Sequence, residues 1–345
     1  MRVGIDLQLA AGTSTGIGEY ASGLLAALQA AGVDAVALRD ERFDPWRFDR
    51  RLVWDQVLLP LAARKARVDL VHYASGTMPL LAARSAVVTV HDVAWLRVQA
   101  HARPYARAYF GGFSLSRYRA AARIMVDSKF SRSELLAVAP KLDAARIDVV
   151  YPGVAADIGS VVRARDDAAP FVLAVGTVER RKNLETLIRA IAPLPRLRLI
   201  SVGPLTPYAS YCADLARELG IANRVEMRGY VARPELLELY ARASIAAVPS
   251  RYEGFGYAAA QALCAGVPLA PADAASLPEI VAGNAALLPA DDEGVWTGAL
   301  GALIADRDAA EVRAAALRAP SIARFAWAHS ASAALRSYAA ALENS

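Results

Sequence analysis

Two α/β domains in tandem, each a doubly wound parallel sheet of the Rossmann-like kind, facing one another across a cleft, is the fold class this sequence predicts. Three observations carry it. Short β-branched runs alternate with helical patterns along most of the chain, as right-handed βαβ units require. The alternation restarts after a polar joint near the middle. And 345 residues suit two average domains better than one or four.

The first series opens with Val3, Ile5, Leu7 and Leu9, which alternate with more polar residues as in a strand. Tyr20, Leu24 and Leu28 then recur every four residues, as on one helix face. Strand runs follow at 33–38 (VDAVAL), 68–73 (VDLVHY), 86–92 (AVVTVHD), 123–128 (RIMVDS) and 147–153 (IDVVYPG). The stretch 161–170 is crowded with charge and ends in proline, so it reads as a linker. The second series has runs at 171–176, 197–203, 224–229, 244–250, 267–273 and 285–291. The tail 321–344 reads as one or two packing helices with an apolar stripe of Phe325, Trp327, Leu335, Tyr338 and Leu342. The expected division is a domain over 1–160, a second over 170–320, and a closing helix over 321–345 that packs back toward the first. Ligands of open α/β sheets sit beyond the carboxyl ends of the strands, so the expected site is the cleft.

Composition narrows the function. With 55% hydrophobic residues and mean hydropathy +0.26, the chain can bury a large core, which excludes disorder. The net charge of +5 suits an anionic ligand or membrane surface, but the arginines are scattered among acids, which argues against nucleic acid. Cys212 and Cys264 make neither a disulfide framework nor a zinc site, and suit a reducing, cytoplasmic compartment. Asp6 within the first apolar stretch argues against a signal peptide. The most apolar stretch, 257–275, is broken by Gln261, Pro268, Pro271 and Asp273, so no spanning helix is expected.

Five segments could carry chemistry. GTSTGIGEYA, 12–21, places Gly16 and Gly18 at a helix start, where unpaired N–H groups favour an anion. It reads as a phosphate- or sugar-facing loop, with a plain turn and a dinucleotide loop as alternatives. His91 follows the run 86–90 at a strand's carboxyl end, where it could donate to a substrate hydroxyl or serve as a structural hydrogen-bonder. For His72 the structural reading is preferred. Arg180, Arg181 and Lys182 crowd a helix start, which is unfavourable unless an anion sits among them, although Glu179 and Glu185 partly neutralise them. Glu253, Gly254, Phe255 and Gly256 form a glycine-flanked turn between a buried strand and a helix, with a carboxylate able to accept from sugar hydroxyls. Finally, 46–54 and 95–119 mix aromatic and basic residues, among them Trp46, Arg51, Trp54, Arg97, Arg103, Arg107, Tyr109, Arg117 and Tyr118. That mixture suits a lipid interface or an anionic acceptor, and equally arginine stems lying over protein surface.

SRYEGFGYAAAQALCAGVP resembles the donor-site signature of retaining GT-B glycosyltransferases of family four, group 1. TGIGEY, VVTVHDVAWLR, VDSKFSRSELL, VGTVERRKNLETLIRA, RGYVARPELLELY, ASLPEIV, GNAALLPADD and the tail FAWAHSASAALRSY fall in the family's order, so the resemblance covers essentially the whole chain. The subgroup it is most similar to is the bacterial mannosyl- and rhamnosyltransferase-like enzymes of surface polysaccharide assembly, including O-antigen and lipopolysaccharide. The resemblance implies an acceptor-side first domain and a second domain that binds a nucleotide-diphosphate sugar. It implies that Lys182 and Arg181 hold the donor diphosphate and Glu253 the sugar hydroxyls. The backbone around Gly254, Phe255 and Gly256 would contact sugar and phosphate, with Gly16 and Gly18 approaching the phosphate. His91 would lie near the transferred sugar and Val231 near the nucleobase.

One departure stands out. The family's second signature glutamate is Gln261 here. Glutamine keeps a carbonyl acceptor and loses the charge, so altered ribose binding is expected rather than lost activity. Thr177 also stands after Gly176, where the family often has arginine.

The expected function is therefore metal-independent, retaining transfer of a mannose- or rhamnose-like hexose. The donor would be a nucleotide-diphosphate sugar, GDP-linked before UDP-linked, with no other cofactor. The acceptor would be a glycan or a polyprenyl-diphosphate-linked glycan, met by an enzyme peripheral to the inner face of the plasma membrane. The rivals are a sugar-nucleotide epimerase or other enzyme of this fold, a dinucleotide-dependent oxidoreductase, and a catalytically silent sugar-nucleotide-binding protein.

Overall fold

The computed structural model describes residues 1–11, 16–44, 46–83, 85–98, 104–165 and 169–343. They form two units, Met1–Gly153 with Ala326–Ser345, and Val154–Phe325.

The first unit is built on six strands: β1 (Arg2–Asp6), β2 (Asp34–Leu38), β3 (Leu70–Tyr73), β4 (Ala86–Val90), β5 (Arg123–Val126) and β6 (Ile147–Val149). All pair in parallel, in the order β2-β1-β3-β4-β5-β6. Every residue of β3 and β4 is buried, which is why they read as continuous apolar runs rather than alternating ones. β1 is shorter than the expected strand. The Asp6 carboxylate accepts the Gln8 N–H at 3.1 Å and starts a turn, so Leu7 and Leu9 leave the strand for a 3-10 turn, Gln8–Ala10.

The helix Gly16–Ala30 buries Tyr20, Leu24 and Leu28, the face that the four-residue spacing marks. The closing helix, Trp327–Glu343, buries Ala331, Ala334, Tyr338 and Ala341, while Leu335 and Leu342 are half-buried. Several contacts tie it down. Tyr338 OH meets His72 Nδ1 at 2.8 Å, and His72 Nε2 meets Thr89 Oγ1 at 2.7 Å, which also meets Tyr20 OH at 2.9 Å. Burial pushes His72 down to about 3, so it is a neutral, structural histidine. The Trp327 indole lies where Gly23 and Gly153 lack a side chain: a Cβ would come within 2.2 Å and 2.4 Å of the ring, respectively.

The segment 46–54 is only in part an open aromatic and basic surface: Trp46 and Arg47 are exposed. Arg51 and Trp54 are buried. Arg51 Nε lies 2.9 Å from the Asp55 carboxylate and Nη2 reaches Thr77 Oγ1 at 2.9 Å and the Ser75 hydroxyl. Trp54 Nε1 donates to Asp6 Oδ1 at 3.0 Å. Tyr109 and Tyr118 are also buried, and Arg97 is paired with Glu134. Arg103 lies outside the described residues.

The second unit holds β7 (Phe171–Val175), β8 (Arg198–Val202), β9 (Val225–Met227), β10 (Ile245–Val248) and β11 (Leu269–Pro271). The order is β11-β10-β7-β8-β9, again all parallel. The run at 285–291 forms only a single bridge, Leu288 with Ala272. Leu288 donates to Pro271 O and accepts from Asp273 N, and the chain then turns, with Asp292 N donating back to Pro289 O. The stretch expected to be a linker is fastened to this unit. Arg163 donates to the Tyr240, Ala241 and Ala243 carbonyls, capping the helix Arg233–Arg242. The division of the chain falls after Gly153 instead.

Gly153→Ala forces a Cβ to within 2.8 Å of Trp327 Cα as well as onto its ring. The expected loss is about 1–3 kcal/mol of stability, measured as a lower urea midpoint. Gly112→Ala, where nothing lies within 4 Å, is the near-neutral control.

Candidate functional site

In the second unit the chain runs from β7 to β8 and β9, then crosses back to lay β10 on the other side of β7. Between β7 and β10 the winding reverses. The loops leaving their carboxyl ends diverge there, which leaves a crevice. A pocket opens at this point, lined by Gly176, Thr177, Lys182, Val248, Pro249 and Ser250 among others.

Three glycines prepare the rim. Gly176, Gly203 and Gly229, after β7, β8 and β9, all have positive φ. Gly176 N donates to Val202 O and Gly203 N to Gly229 O, so the strand-end loops are stitched side by side. A Cβ on Gly203 would fall 2.2 Å from the Gly176 carbonyl oxygen.

The loop after β7 enters a 3-10 turn, Arg180–Lys182, and then Asn183, at φ 57°, starts the helix Leu184–Ile191. Lys182 Nζ lies 2.5 Å from Glu253 Oε1, and Arg181 Nη1 lies 3.6 Å from Glu253 Oε2. Arg181 also meets Glu179 at 2.8 Å and donates to Tyr252 O at 3.1 Å. Ser250 Oγ donates to Glu253 Oε1 at 2.7 Å. Burial opposes the charge on Glu253, but Lys182 and Arg181 outweigh it and hold the carboxyl below its usual range. The structure thus brings Arg181, Lys182 and Glu253 into one cluster. Two cations share one buried carboxylate, and Glu179 balances the second. This group can exchange its internal pairing for an anion and a polyol: the cations turn to phosphate, and the carboxylate accepts from hydroxyls.

The remaining residues of this loop stand behind the cluster. Phe255 is buried against Tyr257 and Phe325. Only Gly256, at φ 92°, is left-handed, and a Cβ there would meet Leu277 at 2.8 Å; Gly254 needs no such conformation. Gln261 is buried on the helix Tyr257–Ala265 and accepts from Tyr240 OH at 3.0 Å. Val231 lies in the loop after β9, at the sheet's edge.

Two residues of the cluster's frame escaped sequence reasoning. Buried Asn183 donates from Nδ2 to Pro249 O at 3.1 Å and Ala290 O at 2.7 Å, and accepts from Thr186. Arg251 binds Asp291 at 2.6 Å, Glu185 at 2.9 Å and Arg180 O at 3.1 Å. An asparagine opening a helix is a visible signal, but the carbonyls it donates to are over sixty residues away.

In the first unit His91 follows β4. Its Nδ1 lies 2.6 Å from Asp127 Oδ2 and its Nε2 2.8 Å from Ala74 O. Both neighbours are acceptors, so both ring nitrogens must donate, which only the imidazolium does. Burial opposes that charge, but Asp127 prevails and the group is raised above its ordinary value. Gly16 is exposed at the helix start, and residues 12–15 of the same loop lie outside the described residues. Gly18 is buried, with its missing Cβ 2.6 Å from Leu9 O, so close chain packing accounts for that glycine.

Two family models divide the chain between them: "Glycosyltransferase Family 4" matches residues 14–158 and "Glycosyl transferases group 1" residues 160–316. Among curated proteins, the D-inositol 3-phosphate glycosyltransferase of Mycolicibacterium smegmatis is 34% identical over 238 residues, 64% of this chain and 54% of that protein. Its counterpart in Nocardia farcinica is 37% identical over 223 residues, 58% and 49%. The chain thus spans about half the length of the curated relatives it matches. Among solved structures, sucrose-phosphate synthase from Thermosynechococcus elongatus superposes with a TM-score of 0.78 at 21% identity, covering 98% of both chains. Anabaena HepE in complex with UDP-glucose gives 0.72 at 17%, covering 97% and 99%.

Gln261→Glu puts a carboxylate into a buried site. Burial raises its folded pKa above the unfolded value, so stability is kept below about pH 4 and lost as pH rises. The expected deficit near neutral pH is about 1–3 kcal/mol, seen as a urea midpoint that recovers on acidification. His91 behaves in the same sense for a different reason. Its pairing stabilises below the ordinary value of 6.5 and is lost as pH rises through the raised folded value. His91→Gln should flatten this alkaline decline in thermal unfolding curves.

Proposed function

We propose that this chain, which belongs to the GT-B glycosyltransferases of group 1 and family 4, transfers a hexose from a nucleotide-diphosphate sugar to a glycan, with retention at the anomeric carbon. The observation that carries the reading is the Arg181–Lys182–Glu253 cluster at the reversal between β7 and β10.

Breaking the anomeric bond builds positive charge on the sugar and negative charge on the departing diphosphate. Lys182 and Arg181 stabilise that developing charge from fixed positions, and Glu253, released from them, orients the sugar through its hydroxyls. The acceptor hydroxyl oxygen bonds to the anomeric carbon as the carbon–phosphate oxygen bond breaks, and its proton passes to the leaving phosphate. With two cations facing the diphosphate, transfer needs no metal. His91, a fixed imidazolium, is assigned to the sugar side and Val231 to the nucleobase. A mannose- or rhamnose-like sugar, GDP-linked, is the first donor to try and UDP-glucose the second. A polyprenyl-diphosphate-linked glycan at the inner membrane face is the acceptor class the basic composition favours. Gln261, turned onto Tyr240, favours one alternative: a protein that binds the sugar nucleotide without turning it over.

A thermal-shift panel of nucleotide sugars should reveal the donor by raising Tm, and nucleoside diphosphate should appear only when acceptor is added. Lys182→Ala is expected to lower kcat/KM by roughly a hundredfold. Unchanged turnover would mean the cluster is structural, and binding without product over a broad acceptor panel would establish the silent reading.

A further inference from the structure

Three neighbouring strands of the first unit end on one side chain. His91 follows β4, and its ring spans the gap to the strands on either side. Nδ1 meets Asp127 Oδ2, after β5, at 2.6 Å, and Nε2 meets Ala74 O, after β3, at 2.8 Å. The backbone is held as well. Ser131 Oγ donates to His91 O at 2.9 Å, from a helix, Lys129–Val138, whose first turn is capped by Ser128. The Tyr20 ring stands edge-to-face with the imidazole, with centroids 4.9 Å apart. His91 is therefore fixed at both nitrogens, at its carbonyl and by one ring contact.

Holding an imidazole in place does not require a charge. An asparagine at 127 could donate to Nδ1 of a neutral ring and leave the Nε2–H on Ala74 O, and a neutral pair avoids taking two ions out of water. The chain has an aspartate there instead. It is buried, and its Oδ1 has no hydrogen-bond partner among the described residues. The carboxylate is thus balanced by the His91 ring. The other titratable groups around that ring do not supply the balance. His72, in β3, is pushed down to about 3 by burial and is neutral. Burial also keeps the Tyr20 phenol protonated. Asp92, the next residue, pulls on His91 in the same sense as Asp127 but more weakly.

The charge has an outlet. The His91 side chain is 16% exposed, whereas that of Asp127 is enclosed. His91 also stands at the carboxyl end of β4, the end at which α/β sheets bind ligands. Both of its N–H groups are committed to protein acceptors. What the ring can present to a ligand is its positive charge and its polarised C–H edge, not a proton. We infer that Asp127 is a positioning residue for transfer: by pairing with Nδ1 it holds His91 as a cation presented to the substrate's hydroxyl oxygens, so that His91 acts by charge and neither gives nor takes a proton. The role in transfer rests on the assignment of His91 to the sugar side proposed above.

The first test needs neither donor nor acceptor, so it fails separately from the transfer reading. The rings of the full chain's four histidines are followed by NMR through a pH titration, and the His91 signal is the one lost in His91→Gln. In wild type it should stay charged through the ordinary value of 6.5. In Asp127→Asn, where the main opposition to burial is gone, the ring should hold its proton roughly tenfold less tightly or worse. The second test is the pH dependence of kcat/KM. Wild type should show no step near 6.5. Asp127→Asn should approach wild type in acid, where His91 is protonated, and fall by roughly tenfold or more as pH rises through the lowered value. His91→Gln should be reduced by a similar factor at every pH. The double variant should be no slower than His91→Gln alone, because Asp127 acts only through that ring. Thermal unfolding checks that each variant is folded. A His91 titration unmoved by Asp127→Asn, or a loss of turnover by one factor at every pH in that variant, overturns the inference and makes Asp127 a structural residue.

Discussion

Glu253 is the residue on which the second unit's site depends. Its carboxylate is taken out of water, which costs several kcal/mol unless paired, and its partners come from a different strand's loop. Lys182 and Arg181 leave β7, whereas Glu253 leaves β10. The pairing requires those strands to be neighbours, and they are neighbours only because the chain winds to β9 and then crosses back. The order of strands and the electrostatics of the cluster are therefore one constraint. Asn183 and Arg251 reinforce it by bonding the same two loops together. The cations are held in place by an internal carboxylate before any ligand arrives, which limits the reorganisation needed when an anionic group takes its place.

The first unit solves the corresponding problem in the opposite way. Its winding reverses between β1 and β3, and the chain fills that crevice with its own charges. Asp6 ends β1 and accepts from Ser75 Oγ at 2.6 Å, and Ser75 follows β3. Arg51 closes the set from the helix Phe48–Val53, 3.6 Å from Asp6. One unit leaves its cations within reach of a ligand, the other buries its guanidinium among protein acceptors. That asymmetry supports assigning the nucleotide to the second unit.

Much of this was legible in the sequence. Eleven of the strand runs became strands, because fully buried parallel strands leave uninterrupted apolar runs. The failures are local and have physical causes: an aspartate that turned the chain early after β1, and a turn at 289–292 that ended the pairing at Leu288. The cluster of Arg181, Lys182 and Glu253 was legible as residue types at strand ends, but not as a mutual ion pair, since nothing in a linear pattern says which loops meet. Composition left 46–54 evenly open between an interface and arginine stems over protein. It recorded arginines and tryptophans without saying which way they point, and Arg51 and Trp54 point inward. Gln261 misled in a similar way: the amide suggested an open ligand position, whereas Tyr240 holds it inside.

The inward turn of Arg51 also explains why the helical stretch Phe48–Ala66 buries an ion pair beside its apolar residues Trp54, Leu59 and Ala63. Asp6 must be neutralised where β1 ends, and the guanidinium that does so sits on this helix, beside Asp55 at 2.9 Å. Once Arg51 and Asp55 face in, helical periodicity leaves positions two residues on, 53 and 57, facing out. Those positions were free to be polar at no cost to the core. They hold valine instead, and Leu61 continues the row. Folding accounts for the buried ions, but it does not account for aliphatic side chains on the solvent face, because an exposed aliphatic group gains nothing from water. Neutralisation of Asp6 therefore explains the ion pair on the inner face of this helix, and the exposed Val53, Val57 and Leu61 stand outside that explanation.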